Sequence, residues 1–175
     1  MRHEQIWAPW RLTYVAGGET APTRPLELPP DADPACFLCR AVADTADREN
    51  LVVHRGTHSI VILNRYPYNN GHLLVAPQQH LGRLDEIAPE AHAECIAELS
   101  RCVGQFERLM QPDGFNIGLN LGRVAGAGLP GHLHWHLVPR WNGDTNFMPV
   151  LAGVRVIPQS LDALWEMLTE NDTGT

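Results

Sequence analysis

The stretch Gly131-His132-Leu133-His134-Trp135-His136-Leu137-Val138-Pro139-Arg140 decides the fold, because histidine and apolar residues alternate along it. Successive residues of a β-strand point to opposite faces of a sheet. His132, His134 and His136 are therefore predicted to share one face, while the alternate apolar side chains pack on the core. Three imidazoles on one face need polar partners, which favours a functional site over a packing solution.

A glycine-rich loop, residues 120–131, comes directly before this strand. Its glycines let the backbone approach a ligand closely and turn N–H groups towards an anion, with Gly126, Ala127 and Gly128 as candidates. A neutral imidazole is a competent nucleophile, and one beside a phosphate loop is typical of phosphoryl transfer. A second interpretation stays open, because histidines two apart on a strand can also hold a catalytic zinc.

The elements around this strand predict an α+β fold, an antiparallel sheet of about five strands with a long central helix and a C-terminal helix. The long helix carries an apolar stripe at steps of three and four, formed by Cys95, Leu99, Cys102, Phe106 and Leu109. The predicted strands are 57–63, 72–76, 114–121 and 132–138, and the predicted helices are 34–46, 89–110 and 158–170.

The composition excludes several classes of function. The 175 residues carry a net charge of −7, which argues against binding to nucleic acid. All 13 basic residues are arginine, so neither a lysine Schiff base nor a P-loop lysine is available. We find no signal peptide and no apolar run of the roughly 18 residues that a membrane span needs, so we expect a cytoplasmic protein without membrane contact.

The chain is predicted to divide into an N-terminal docking segment with a linker, residues 1–34, and a single domain, residues 35–175. The segment 6–15 contains Trp7, Trp10 and Tyr14, which favours docking onto the domain or onto a second subunit. Seven glycines and prolines between residues 17 and 34 predict an irregular connector.

The segment His132-Leu133-His134-Trp135-His136-Leu137-Val138 matches the His-x-His-x-His-x-x signature of the histidine triad (HIT) family. Asn64, Gly71-His72 and Ala76-Pro77 also match the spacing of that family, so the resemblance covers about residues 50–142. Flanking pieces such as Tyr66-Pro67-Tyr68-Asn69 resemble the branch of bacterial diadenosine polyphosphate phosphorylases and hydrolases.

The resemblance implies an enzyme in which His134 attacks the α-phosphate of a dinucleoside polyphosphate and carries the nucleotidyl group until phosphate or water releases it. It further implies that His136 binds the α-phosphate, that Asn64 binds the ribose and that Asn120 lies beside the phosphates. His72 would be a further histidine near the nucleotide site. No catalytic metal is required if histidines and loop N–H groups stabilise the transition state. Family members are commonly dimers, so a homodimer is expected.

One departure from the family keeps alternatives open. Many members have Gln, Ser or Thr four residues before the first triad histidine, where this chain has Gly128. This departure favours, as one alternative, a purine-nucleotide sensor that binds its ligand with little turnover. A nucleoside phosphoramidase or mononucleotide hydrolase with the same nucleophile is another alternative.

Cys36-Phe37-Leu38-Cys39 forms a Cys-x-x-Cys pair, which can hold zinc if two further ligands exist. A vacant thiol pair and a redox pair are the other interpretations. The resemblance implies that His80 and His132 complete a structural zinc site. His132 would then fix the strand that carries His134.

Overall fold

The computed structural model of the protein describes residues 26–145 and 156–171. The described part contains a five-stranded antiparallel sheet and four α-helices. The strands are β1 (Val52–Arg55), β2 (Ser59–Leu63), β3 (Leu73–Pro77), β4 (Gly114–Leu119) and β5 (Trp135–Arg140), and the helices are α1 (Phe37–Ala43), α2 (Asp47–Asn50), α3 (Pro89–Met110) and α4 (Leu161–Glu170). The strand order is β1-β2-β3-β5-β4, so β4 lies at an edge. The predicted α+β class is confirmed.

The β2–β3 hairpin forms the centre of the sheet, and every residue of both strands is buried. Gly71 ends the connecting turn with a positive φ of 79°, a backbone conformation that residues with a Cβ rarely adopt. A Cβ there would also lie 2.9 Å from Pro139 Cγ of β5 and 3.0 Å from Phe106 Cε1 of α3. Glycine is therefore needed both for the turn and for the close packing of the hairpin.

Helix α3 covers one face of the sheet and begins and ends at the residues predicted from the sequence. Pro89 occupies the first turn, where its missing N–H costs no hydrogen bond. Of the predicted stripe, Cys95, Leu99, Cys102 and Phe106 are buried, while Leu109 is only partly buried. These side chains form a core with Leu164 and Leu168 of α4 and with the sheet residues Val61, Leu63, Leu73, Val75, Trp135 and Leu137.

The opposite face of the sheet carries α1. A second core joins Leu38 and Ala41 of this helix to Ile60, Ile62, Leu74 and Ala76 of the central hairpin. Both faces of β2 and β3 are thus covered, which explains why these strands are apolar throughout.

Several predicted boundaries differ from the structure. Strand β5 begins at Trp135, so His132 and His134 precede the ladder. Within the predicted helix 34–46 only α1 (Phe37–Ala43) is helical, and the separate short α2 begins just after that range. Strand β1 was not predicted individually, although it completes the expected five. Residues 26–34 form no helix or strand, and the predicted docking segment 6–15 lies outside the described residues.

None of the helices in the described ranges combines the length and the apolar character needed to cross a bilayer.

Candidate active site

The histidines lie on the face of the sheet that carries α1. His136 pairs with Leu74, which belongs to the core beneath α1. Leu133, Trp135 and Leu137 pack instead into the core beneath α3. The alternation predicted from the sequence therefore extends beyond the hydrogen-bonded strand to the residues before it.

The tautomer of His134 is set by a backbone carbonyl. Its Nδ1 lies 2.8 Å from the carbonyl oxygen of His132, and a carbonyl can only accept, so Nδ1 carries the proton. The Nε2 atom of the neutral ring then holds the lone pair. The residue is 7% exposed, and burial lowers its pKa, against the opposing effect of the carbonyl bond. His134 is thus held as a neutral nucleophile.

His136 carries its proton on the other nitrogen. The backbone N–H of Tyr68 donates to His72 Nδ1 over 3.0 Å, so the proton of the neutral His72 ring is on Nε2. That N–H donates over 2.9 Å to His136 Nδ1, which leaves the proton of His136 on Nε2. Burial, with a smaller contribution from His134, lowers the pKa of His136 to about 4.

The site therefore offers a lone pair and an N–H donor from neighbouring rings. The centroids of the His134 and His136 rings are 5.0 Å apart, with their planes at 70°. A phosphorus atom attacked by His134 would have a neutral donor beside it for its oxygens. This pairing of nucleophile and donor suits transfer of a phosphoryl or nucleotidyl group.

The asparagines predicted to contact nucleotide lie in this region. Asn64 Oδ1 accepts the backbone N–H of Tyr66 over 2.9 Å, and its Nδ2 lies 3.3 Å from His72 Nδ1. Its oxygen thus stabilises the turn, and its amide nitrogen reaches towards the histidines. Asn120 lies against the glycine-rich loop, where a Cβ on Gly126 would be 3.9 Å from Asn120 Nδ2. Their contacts with ribose and phosphate stay predictions.

The glycine-rich loop satisfies two of its own N–H groups. The N–H of Gly126 donates to the Arg123 carbonyl over 3.0 Å, and that of Ala127 donates to the Gly122 carbonyl over 3.2 Å. Gly122 and Gly126 both have positive φ, at 79° and 92°. A phosphate that recruits Gly126 or Ala127 must replace these internal bonds. Binding by Gly126, Ala127 and Gly128 stays a prediction.

Cys36, Cys39, His80 and His132 form a cluster whose ligand atoms all lie within 4.8 Å of one another. Cys36 Sγ is 3.3 Å from His132 Nδ1, and Cys39 Sγ is 3.2 Å from His80 Nδ1. Tetrahedral zinc separates sulfur and nitrogen ligands by about 3.6 Å, given its usual bond lengths. The four residues therefore fit a zinc ion, and they come from the start of α1, the chain after β3 and the chain just before β5.

The surroundings of the cluster orient its ligands. His132 Nε2 lies 2.8 Å from the Pro77 carbonyl, so its proton is there and Nδ1 faces the sulfurs. Burial lowers the pKa of His132 to about 4, which keeps the ring neutral. Burial raises the pKa of Cys36 to about 12, so a cation is what would hold this thiol as thiolate. Both nitrogens of His132 are engaged here, which argues against a tripod formed by His132, His134 and His136.

Sequence reasoning assigned no role to three groups that build this site. The Tyr68 N–H orients His72, and the Pro77 carbonyl orients His132. Arg55 Nη2 donates to the Ala41 carbonyl over 2.8 Å and so closes the C-terminal end of α1. Two of these groups belong to the backbone, which leaves no signal in a sequence. The quoted motif Tyr66-Pro67-Tyr68-Asn69 was the one available hint.

The model of the HIT domain matches residues 45–143, which is more than half of the chain. The chain belongs to the HIT family. Its HIT domain includes β1 to β5 and α3, together with His134, His136 and two of the four cluster residues, His80 and His132. Cys36 and Cys39 lie before the matched region, although they complete the cluster.

Among HIT relatives, a Mycobacterium tuberculosis protein named "AP-4-A phosphorylase" is 38% identical over 163 residues, which cover 90% of this chain and 78% of the relative. The crystal structure of a Zn-bound histidine triad family protein from Mycobacterium smegmatis superposes with a TM-score of 0.62 at 28% identity, over 78% of this chain and 91% of that one. A Schizosaccharomyces pombe adenosine 5'-monophosphoramidase is 24% identical over 135 residues, covering 77% of this chain and 96% of the relative.

Proposed function

We propose that this HIT protein is a nucleotidyl-transferring enzyme that cleaves dinucleoside polyphosphates such as diadenosine tetraphosphate. The observation that carries the proposal is the opposite protonation of neighbouring rings, with a lone pair on His134 Nε2 and a proton on His136 Nε2. The substrate class is supported by the 38% identical phosphorylase, which shares 163 aligned residues with this chain.

The proposed reaction has two displacement steps. In the first, His134 Nε2 attacks the α-phosphorus, the N–P bond forms, and the P–O bond to the departing polyphosphate breaks. His136 Nε2–H binds an α-phosphate oxygen, while Asn64 holds the ribose and Asn120 lies beside the phosphates. The negative charge that moves onto the leaving group is stabilised by N–H donors.

In the second step an acceptor oxygen attacks the same phosphorus and the N–P bond breaks, which restores neutral His134. With inorganic phosphate as acceptor, diadenosine tetraphosphate gives ATP and ADP. With water, it gives ATP and AMP. Splitting one difficult displacement into two easier ones is the advantage of the covalent intermediate.

The test is to incubate the protein with diadenosine tetraphosphate labelled at an α-phosphate and to map the label. We expect label on His134 and none in His134→Ala. Added phosphate should move the second product from AMP to ADP. Cleavage that survives in His134→Ala refutes the covalent mechanism, while turnover of adenosine phosphoramidate alone supports the phosphoramidase alternative. Stoichiometric binding without turnover supports the sensor.

We further propose that Cys36, Cys39, His80 and His132 hold a structural zinc ion. The short sulfur–nitrogen distances support it, as does the Zn-bound mycobacterial neighbour. The ion would tie α1 to the chain just before β5 and keep both thiols deprotonated. Cys39→Ala should abolish the zinc measured by elemental analysis and lower Tm, whereas Cys102→Ala, which removes a buried thiol outside the cluster, should retain one zinc per chain. Equal zinc content in both variants contradicts the assignment.

We propose a homodimer, working in a reducing compartment such as the cytoplasm. The edge position of β4 and the 48% exposed Ile117 on it support a second copy there. The four free cysteines support a reducing compartment, because disulfides form and persist mainly in oxidising ones. The division into a docking segment 1–34 and a domain 35–175 also stays a proposal. Light scattering should give a dimer mass for the wild type and a monomer mass for Ile117→Glu.

A further inference from the structure

Tyr68 lies in the turn between β2 and β3, with its ring against two histidines of the site. Tyr68 as a whole is 49% exposed, whereas His72 is 1% exposed. We propose that Tyr68 is a positioning residue that shields the His72–His136 hydrogen bond from water and so keeps the His136 donor directed at the substrate. This inference rests on the proposed function for the role of His136.

The backbone of Tyr68 provides the first part of the device. Its N–H donates to His72 Nδ1 over 3.0 Å, which leaves His72 with one donor, Nε2–H. That donor lies 2.9 Å from His136 Nδ1. The chain of donors therefore runs in one direction, from the Tyr68 amide through His72 to His136, and it ends at the Nε2–H that would donate to the substrate phosphate.

The side chain of Tyr68 provides the second part. The centroid of its ring is 4.5 Å from that of His72 and 5.7 Å from that of His136, at an angle of only 23° to the latter. One aromatic surface thus covers both members of the hydrogen-bonded pair. Water in its place would compete for His136 Nδ1 and would let the imidazole rotate about its side-chain bonds.

The kinetic effect of removing the Tyr68 ring distinguishes this role from a direct contact with substrate. A ring that stacks on a nucleobase would contribute mainly to substrate binding, and its loss would raise KM. A ring that orients His136 contributes when charge develops on the phosphate, and its loss lowers kcat. The phenol hydroxyl enters neither part of the device, so phenylalanine should replace tyrosine.

The experiment compares Tyr68→Ala, Tyr68→Phe and Tyr66→Ala as zinc-loaded full-length proteins. Tyr66 is a matched control because it belongs to the same turn and is 39% exposed. An aromatic contact of this kind corresponds to roughly a twofold to tenfold change in kcat. We expect kcat to fall by this factor in Tyr68→Ala while KM stays nearly unchanged. Tyr68→Phe and Tyr66→Ala should keep the wild-type kcat and KM.

The second measurement needs no substrate. In ¹⁵N-labelled protein, the His72 Nε2–H should exchange slowly with water, and Tyr68→Ala should speed this exchange at least about tenfold. Unchanged exchange, or a rise in KM without loss of kcat, overturns the inference. If Tyr68→Ala does not fold, Tyr68→Leu, which keeps an apolar cover, replaces it. Its kcat and its exchange rate should lie between the wild-type values and those expected for Tyr68→Ala. Faster exchange in a protein that cleaves no dinucleotide overturns the proposed function and leaves the shielding intact.

Discussion

The pH dependence of nucleotidyl transfer to the protein follows from the environments of His134 and His136. Burial, with the nearby His134, lowers the pKa of His136 to about 4 from its ordinary 6.5. At pH 5.5, an imidazole of pKa 6.5 is about 9% neutral, whereas one of pKa 4 is about 97% neutral. Burial also lowers the pKa of the nucleophile His134. The rate of label transfer should therefore begin to fall at a lower pH than it would if both histidines had ordinary pKa values.

The measurement is the single-turnover rate of transfer from labelled diadenosine tetraphosphate between pH 5 and 8, without phosphate as acceptor. The zinc content of each sample separates protonation of His136 from loss of the metal. His58→Gln, which removes an exposed histidine, should leave the profile unchanged. An acid limb with a midpoint near 6.5 in fully zinc-loaded protein would refute the reasoning.

The same shift has a consequence for stability, with a definite sign. The pKa of His136 is lower in the folded than in the unfolded chain, so protons bind the unfolded chain more tightly. The contribution of His136 to the free energy of unfolding is complete above pH 6.5 and is lost as the pH falls towards 4. Urea titrations at pH 7.5 and 5.5 should show this loss, and His136→Asn should reduce it.

Two further predictions concern the fold. Glu94→Ala should lower the free energy of unfolding by about 3 kcal/mol, because Glu94 Oε1 accepts the N–H and the hydroxyl of the buried Ser59 at 3.0 and 2.7 Å. Gly71→Ala should lower it by about 1–3 kcal/mol through backbone strain and contact with neighbouring side chains. Both are measured by denaturant unfolding.

Each has a control in α3. Glu90→Ala removes an exposed carboxylate from the same helix as Glu94 and should cost less than about 1 kcal/mol. Gly104→Ala should stabilise the protein by up to about 1 kcal/mol, since a Cβ there meets only the flexible Arg108 side chain at 3.7 Å. Equal effects at Glu94 and Glu90, or a stabilising Gly71→Ala, would contradict the assignments.

The sequence predicted α3 to the residue because its apolar period and the proline in its first turn mark the element locally. The start of β5 was placed three residues early for a tertiary reason. Strand β3 ends at Pro77, which has no N–H to offer the ladder, and its carbonyl is occupied by the His132 ring. Strand β1 was missed because a bulge between Val52 and His54 interrupts its alternation.

Within the site, the spacing of the three histidines indicated their role from the sequence. The groups that determine which ring nitrogen carries the proton could not be predicted from the sequence. Cys36 and His132 are 96 residues apart, and only a resemblance to a known family paired them in advance. The groups that fix the tautomers of His134 and His72 are a carbonyl and an amide of the backbone. Every residue type carries the carbonyl, and all but proline carry the N–H, so the roles of these groups follow from the folded chain alone.

His132 contributes to the site through both its side chain and its main chain. Its ring faces the thiols, and its carbonyl accepts the Nδ1–H of the nucleophile His134. The two tasks are therefore separable by protein engineering. A chain in which the four cluster residues are exchanged for well-packed apolar ones would keep the carbonyl of residue 132, and with it the orientation of His134. Such a redesign would yield a catalyst that tolerates chelators, because packing would replace the metal in holding α1 to the chain that carries His134.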